Sequence, residues 1–292
     1  MHYTGQVYRH PMEGFTPLLE VTIGCSHNTC AFCTMYRDTP FALSKREDII
    51  ADLEELKDAN PSLKRLCLVN ADPFVLTMKH LIDIGELIIS YFPKIEVISG
   101  YASIRNFRGK SLEDLKKLKE LRFNEFHIGL ESAYDPALKQ MNKGFDVAMA
   151  RKQLGKIKEA GLKYDAHVVL GLAGKGNGDV HIKETVALLN EIQPYMVSIM
   201  PISAVPGSQL EAMQKRGEYE PPTEREMLEE EKVLLRSLNL EKAYVFGSHP
   251  YNLVHFSGDL NSQREEMIAA IDKALEEMDS NVLDSVKFRG NI

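Results

Sequence analysis

The sequence predicts an α/β fold in which six short strands alternate with helices. Runs rich in Val, Ile, Leu and aromatic residues recur about every 35 residues, and amphipathic stretches long enough for helices lie between them. Strands that alternate with helices pair in parallel through right-handed crossovers. No self-similar repeat accompanies this period, so the pattern indicates β/α topology and not a solenoid.

Each predicted strand is short enough to be buried, and the six cover 18–24, 63–70, 94–103, 124–130, 163–172 and 195–202. The predicted helices cover 44–59, 78–92, 111–121, 146–161 and 179–192. Ser44, Ser111 and Asp146 stand where helix N-caps are expected. Gly161 stands where a left-handed residue ends a helix.

The rhythm changes after Pro201, and we predict a boundary between a core of residues 1–205 and an extension of residues 206–292. In the extension, a long acidic helix is predicted over 223–240 and a last helix near 262–278. Between them lies an aromatic and histidine-rich segment, 244–256. The acidic run Glu229 to Glu231 is predicted to be a solvated helix face.

Composition and charge narrow the class of protein. The 292 residues include 35 Lys and Arg against 42 Asp and Glu, a net charge of −7. A chain without a basic excess has little to hold a phosphate backbone, so nucleic acid is an unlikely partner. No signal peptide is visible, and no window approaches the ~18 consecutive apolar residues of a membrane helix. We therefore expect a cytoplasmic protein that does not bind membranes.

The four cysteines are distributed unevenly. Cys25, Cys30 and Cys33 lie within nine residues directly after the first predicted strand, whereas Cys67 lies inside an apolar strand, where a small hydrophobic role is expected. Clustered thiols in a reducing compartment are more often metal ligands than disulfides. Zinc would need a fourth ligand, such as His27. A 4Fe-4S cluster held by three thiolates would leave one iron open.

Several segments in order resemble the radical S-adenosylmethionine (SAM) superfamily, in the branch of oxygen-independent coproporphyrinogen oxidases, methylthiotransferases and the Elongator catalytic subunit. They are GCSHNTCAFC at 24–33, NADP at 70–73, HIGLESAYDPALKQMNKG at 127–144, VVLGLAGKG at 168–176 and MPISAVPGSQL at 200–210. The resemblance implies a partial (β/α)6 TIM-like barrel with a short C-terminal α/β extension. Its usual cysteine spacing is three residues then two, and the four then two seen here make the loop one residue longer.

The resemblance also implies the cofactors and their ligands. One 4Fe-4S cluster is expected on Cys25, Cys30 and Cys33, with SAM on the open iron. The residues implied to contact SAM are Phe32, Asn70, Asp72, Glu131 and His167.

By this resemblance, the protein is an oxidoreductase that cleaves SAM reductively to a 5′-deoxyadenosyl radical and abstracts hydrogen from a small organic substrate. An external donor such as flavodoxin or ferredoxin would supply the electron. The alternatives are a tRNA-modifying radical SAM enzyme and a non-catalytic regulatory protein that binds zinc or a cluster. His249, Tyr251 and His255 are candidates for a proton donor or substrate anchor, unless they belong to a packed β-hairpin.

Overall fold

The computed structural model describes residues 1–289, which form two compact units. The first comprises Met1–Asn28, Tyr36–Gly129 and Lys152–Tyr164, and the second comprises Thr29–Met35, Leu130–Arg151 and the described chain from Asp165.

Parallel strands form the centre of the first unit. Its strands are β1 (Leu18–Leu19), β2 (Thr22–Ile23), β3 (Ala42–Leu43), β4 (Arg65–Leu68), β5 (Val97–Ala102) and β6 (Phe123–Glu131), the last of which continues into the second unit. β1, β4, β5 and β6 pair in that order, all in parallel, and β2 pairs with β3 in antiparallel fashion. Cys67 aligns with Leu18 of β1 and is fully buried. It packs in an apolar cluster with Leu18 and Val69, which confirms the small hydrophobic role, and burial raises the pKa of its thiol to about 12.

Three helices follow strands of the first unit: α1 (Arg46–Ala59), α2 (Met78–Tyr91) and α3 (Leu112–Glu120). Ser111 caps α3 as predicted, because its side chain accepts from the Asp114 N–H. The prediction for Ser44 is wrong. The N-cap of α1 is Lys45, without a side-chain bond, since the Ser44 N–H is held by the Val21 carbonyl at the end of the β2–β3 pair.

The second unit also contains parallel pairs. Its strands are β7 (Lys163–Leu170, from Asp165), β8 (Met196–Pro201), β9 (Tyr244–Phe246) and β10 (Ser257–Asp259). β7, β8 and β9 pair in parallel, and β9 pairs with β10 in antiparallel fashion. The helices are α4 (Asp135–Gln140), α5 (Val147–Glu159, shared with the first unit), α6 (Gly178–Ile192), α7 (Gln209–Lys215), α8 (Glu224–Ser237), α9 (Leu260–Glu277) and α10 (Ser280–Leu283).

The order of elements confirms the α/β class and five of the six predicted strands. The predicted strand 18–24 is instead two short strands, β1 and β2, and β2 pairs with β3, which the sequence did not predict. Asp146 accepts from the Met149 N–H at 2.7 Å, as an N-cap does, and Gly161 has the predicted positive φ of 68°. Among residues 1–289, no helix is both long and apolar enough to cross a membrane. The boundary near residue 205 stays a prediction.

The prediction of a solvated acidic face on α8 is wrong for two of its three residues. Glu229 is exposed, but Glu230 and Glu231 are 4% and 2% exposed. Glu231 stands four residues after Met227 and three before Leu234, so the 3.6-residue period puts it on the buried apolar face. Burial raises the pKa of this carboxyl to about 8.

Candidate functional site

Gly24 follows directly on β2 and forms a sharp turn before Cys25. Gly24 has φ of 70°, and a Cβ there would come within 2.6 Å of the Thr39 carbonyl oxygen. The half-buried Cys25 is in no disulfide, and the Asn28 N–H donates to its Sγ at 3.3 Å. The thiolate is the form of cysteine that binds metal.

Asp72 holds the first half of the cysteine loop. This carboxylate is 2% exposed, and its Oδ1 accepts from the Ser26 N–H at 3.1 Å. Its Oδ2 accepts from the Ser26 hydroxyl and, at 3.4 Å, from the Asn106 amide. The side chain predicted to contact SAM therefore binds the residue next to Cys25, in an arrangement that fixes the loop.

Asn70 has a similar bracing position. Its φ is 70°, a left-handed conformation that Asn tolerates better than most residues. Its amide donates to the Thr22 carbonyl at 2.7 Å and to the Glu20 carboxylate at 3.0 Å. Because Asn70 is 1% exposed, these bonds tie the turn after β4 to the strand that leads to Cys25.

His27, considered above as a zinc ligand, lies beside a guanidinium. Arg105 Nη1 lies 2.9 Å from His27 Nδ1, and only the histidine nitrogen can accept in this pair. The Nδ1 lone pair is thus directed at Arg105 and not at a metal. This contact and the Ser26–Asp72 contact brace two of the four residues between Cys25 and Cys30.

The second half of the loop, Cys30 to Cys33, lies in the second unit. The Cys33 N–H donates to the Cys30 carbonyl at 3.2 Å, which closes a turn that carries both thiols. Ala31 donates to the Met141 carbonyl at 3.0 Å, and the Asn142 amide donates to the Thr29 carbonyl at 3.0 Å. The segment after α4 therefore anchors this turn.

Lys143 is a functional candidate that the sequence analysis missed. Its Nζ lies 3.0 Å from Glu131 Oε1, and both side chains are about nine-tenths buried. The ammonium also lies 5.6 Å from the centre of the Phe32 ring. Burial alone would lower the pKa of Lys143, but the negative charges of Glu131, Cys30 and Cys33 raise it, so the group stays cationic.

The second unit thus brings Phe32, Glu131 and Lys143 together with two of the cysteines. Glu131 adopts φ of 63°, which is uncommon for a residue other than glycine and typical of functional sites. The signal for Lys143 was present in the 127–144 motif, where it lies between two positive-φ residues, Asn142 and Gly144. A sequence pattern alone does not tell which way such a lysine points.

His167 lies on β7 within a polar network of the second unit. Its Nε2 lies 3.0 Å from Asp165 Oδ2, and the Ser198 hydroxyl donates to the same oxygen at 2.9 Å. All three residues are buried. Asp165 therefore fixes the orientation of the His167 ring, as carboxylates that pair with histidine commonly do.

The segment with His249, Tyr251 and His255 connects β9 to β10, so the predicted hairpin is confirmed. The Asn252 amide donates to the Ile199 and Gly247 carbonyls at 3.1 and 2.8 Å, which holds the segment on β8. Burial lowers the pKa of His249, and charges on His167 and His255 lower it further. His249 is buried, whereas His255 is exposed.

The donor set fits an iron–sulfur cluster with SAM. Three undisulfided thiols stand on one loop, and a buried ammonium faces two of them. Glu131 and Lys143 offer opposite charges, which match the ammonium and carboxylate of a methionyl group. The fold and the site together define the class of SAM-dependent iron–sulfur enzymes.

The chain belongs to the radical SAM superfamily, whose profile matches residues 19–189, more than half of its length. It is accordingly a SAM-dependent enzyme that uses a 4Fe-4S cluster. This membership favours the enzyme over the regulatory alternative.

Known proteins resemble different shares of the chain. The tRNA uridine(34) acetyltransferase of Methanocaldococcus infernus is 26% identical over 70% of this chain and 46% of its own length. Elp3 of the same organism, in a structure with an N-terminal deletion, gives a TM-score of 0.52 at 16% identity, over 94% of this chain and 65% of that one. The methyltransferase TsrM of Kitasatospora setae, with cobalamin and a [4Fe-4S] cluster bound, gives 0.54 at 10% identity, over 67% and 38%.

These likenesses confirm the partial TIM-like barrel fold. The chain spans under half the length of the two tRNA uridine(34) acetyltransferases it matches.

We predict that Asp72→Asn and Ser26→Ala each speed the loss of iron from the cluster-loaded protein to a chelator. A hydrogen bond to a charged group is worth about 1.5–3 kcal/mol, so roughly a tenfold effect is expected for Asp72→Asn. The effects of the two changes should be less than additive, because both weaken the hydrogen bond between the Ser26 hydroxyl and Asp72.

A matched control exists on α9, where Asp259 Oδ1 accepts from the N–H and hydroxyl of Ser262. Asp259→Asn and Ser262→Ala should leave iron retention unchanged. If Asp72→Asn instead retained iron normally and only weakened SAM binding, Asp72 would be the SAM contact that the resemblance implies.

Proposed function

We propose that this protein takes a hydrogen atom from an organic substrate, an oxidoreductase-type step started by an external electron donor of the flavodoxin or ferredoxin kind. The observation that carries the proposal is the buried Lys143–Glu131 pair beside Phe32 and the cysteine turn. When bound, the reduced cluster supplies the electron that splits SAM into methionine and the 5′-deoxyadenosyl radical that removes the hydrogen.

The residues of the chain are proposed to bind the two cofactors and to orient SAM. Cys25, Cys30 and Cys33 would hold the cluster, and three protein ligands would leave one iron for SAM. Lys143 is proposed to pair with the methionyl carboxylate, and Glu131 to accept from the methionyl amino group, so that each would exchange part of its present partner for SAM.

The remaining predicted contacts divide into two groups. Phe32 and His167 are proposed to contact the adenosyl part of SAM, with His167 oriented by Asp165. Asn70 and Asp72 are proposed to act indirectly, because their side chains already bind Thr22, Glu20 and Ser26. Although all three C-terminal candidates lie in the hairpin, His249 is proposed as a proton acceptor, because it is buried and its lowered pKa favours the neutral ring.

We propose tRNA as the first candidate substrate. Two curated relatives that align with 70% of this chain are tRNA uridine(34) acetyltransferases, and that similarity supports a nucleoside within tRNA. A small organic molecule is the second candidate, which the net charge of −7 favours. The two candidate substrates can be distinguished by experiment, because SAM cleavage should depend on added tRNA only if tRNA is the substrate.

Anaerobic reconstitution tests the proposed function. We expect about four irons per chain and a broad absorbance at about 400 nm. When SAM and a reductant are added, we also expect 5′-deoxyadenosine. Cys30→Ala should abolish all three signals. Cys67→Ala is the matched control and should keep them, because Cys67 is fully buried in β4.

Unmodified tRNA should raise the rate of 5′-deoxyadenosine formation, and deuterated tRNA should pass deuterium into that product. Bound zinc without SAM cleavage would contradict the proposed enzymatic function. If tRNA did not change the rate of SAM cleavage but a small metabolite increased it, the second candidate, a small organic substrate, would be favoured.

We also expect Lys143→Gln to weaken SAM binding to the cluster-loaded protein by tenfold or more, since a charge-assisted hydrogen bond is worth about 1.5–3 kcal/mol. Calorimetric titration with SAM measures this. Lys175→Gln, which breaks an exposed lysine–glutamate pair with Glu220, is the control and should change the affinity less than twofold. Equal affinities for Lys143→Gln and the unmodified protein would exclude Lys143 from the SAM site.

A further inference from the structure

We propose that one surface of the first unit carries the sugar-phosphate backbone of the RNA substrate. This surface, called the basic face below, is formed by residues 105–125 and 152–163. The inference rests on the proposed function, in which tRNA is the substrate, and it adds where on the chain the RNA backbone lies.

Charge is strongly segregated along the chain. The basic face contains eleven Lys and Arg against five Asp and Glu, whereas the rest of the chain contains 24 against 37. The basic face therefore has a net charge of +6 within a protein of net charge −7. Phosphate binding depends on local and not on total charge, so the acidic average does not exclude a nucleic acid.

The two segments of the basic face form one surface. Lys156 Nζ donates to the carbonyls of Phe107 and Lys110, at 2.9 and 2.6 Å, which ties the C-terminal half of α5 to the turn before α3. Lys119 Nζ, near the end of α3, lies over Gly161, where a Cβ would come within 2.6 Å of it. α3 and the C-terminal half of α5 are thus neighbours along their lengths.

Eight of the eleven Lys and Arg residues of this surface are exposed. The exposed ones are Arg108, Lys116, Lys117, Lys119, Arg122, Lys152, Lys158 and Lys163. Two exposed lysines are engaged within α3, where Lys116 pairs with Glu113 and Lys117 with Glu120. Such exposed pairs contribute little and are easily exchanged for a phosphate.

Like charges crowd each other beneath this layer. Burial lowers the pKa of Lys110, Asp114 partly opposes the shift and the charge of Lys156 adds to it, with a net pKa of about 8. Burial and the charge of Lys152 likewise lower the pKa of Lys156. A polyanion bound across the surface would relieve this repulsion, and the release of its counterions would add to the binding.

The composition of the basic face suits an RNA backbone better than an acidic protein such as an electron donor. All the residues of the face lie in the described chain, and none of the large hydrophobic side chains in it is exposed. Protein interfaces concentrate their binding energy in buried apolar and aromatic anchors. A backbone contact needs only spaced cations, and Arg108 and Arg122 can bind phosphate through two parallel hydrogen bonds.

The test is a salt titration of the affinity of the cluster-loaded protein for an unmodified tRNA transcript. The variant combines Arg108→Gln, Lys119→Gln, Arg122→Gln and Lys152→Gln. It should bind at least tenfold more weakly, with the slope of log affinity against log salt reduced by about 3. The control removes four exposed lysines elsewhere, with Lys183→Gln, Lys215→Gln, Lys242→Gln and Lys273→Gln, and should change affinity less than twofold.

Thermal unfolding and SAM cleavage without tRNA check that both variants are folded and loaded. Equal loss of affinity in the two variants, or no loss in either, would overturn the assignment. So would a variant that keeps its tRNA affinity but is no longer reduced by flavodoxin, since the basic face would then dock the electron donor.

The surface and the substrate can fail separately. Selective loss of tRNA affinity supports the surface even if tRNA does not stimulate 5′-deoxyadenosine formation, a result that would contradict only the proposed substrate. Stimulation by tRNA with no loss of affinity in the variant would contradict only the surface.

Discussion

The contact between Asp72 and Ser26 is the constraint on which the rest of the site depends. Three thiols bind one inorganic centre only if the loop that carries them keeps its shape, and this loop is one residue longer than is usual in the family. Asp72 gives the N–H and hydroxyl of Ser26 a buried anion. Arg105 then engages the next residue, His27. The added length is thus matched by two side-chain contacts directly after Cys25.

The sequence predicted the elements that depend on local periodicity and missed contacts between distant residues. Ser111 and Asp146 cap their helices because an N-cap depends on neighbours three residues away. Ser44 does not, since its backbone is taken by Val21. The roles of Asp72 and Lys143 depend on the direction of each side chain relative to the cysteine loop. That loop is distant from both residues in the sequence, so no local pattern encodes the direction.

Predictions made from charged residues were also limited by the lack of information on where those residues lie in the fold. The acidic run predicts a solvated Glu231, although its spacing from Met227 and Leu234 puts it on the buried side of α8. The total charge argues against a nucleic acid partner, although Lys and Arg concentrate in residues 105–125 and 152–163 of the first unit. In both cases, the position of a charge in the fold decides its effect, and averages along the sequence conceal that position.

The central claim is that three cysteines hold a four-iron cluster whose remaining iron binds SAM. Mössbauer spectroscopy of protein reconstituted with iron-57 tests it most directly, because each iron contributes equally to the spectrum. Addition of SAM should shift the signal of about one quarter of the iron, the share that three protein ligands leave open. A spectrum unchanged by SAM would contradict the account.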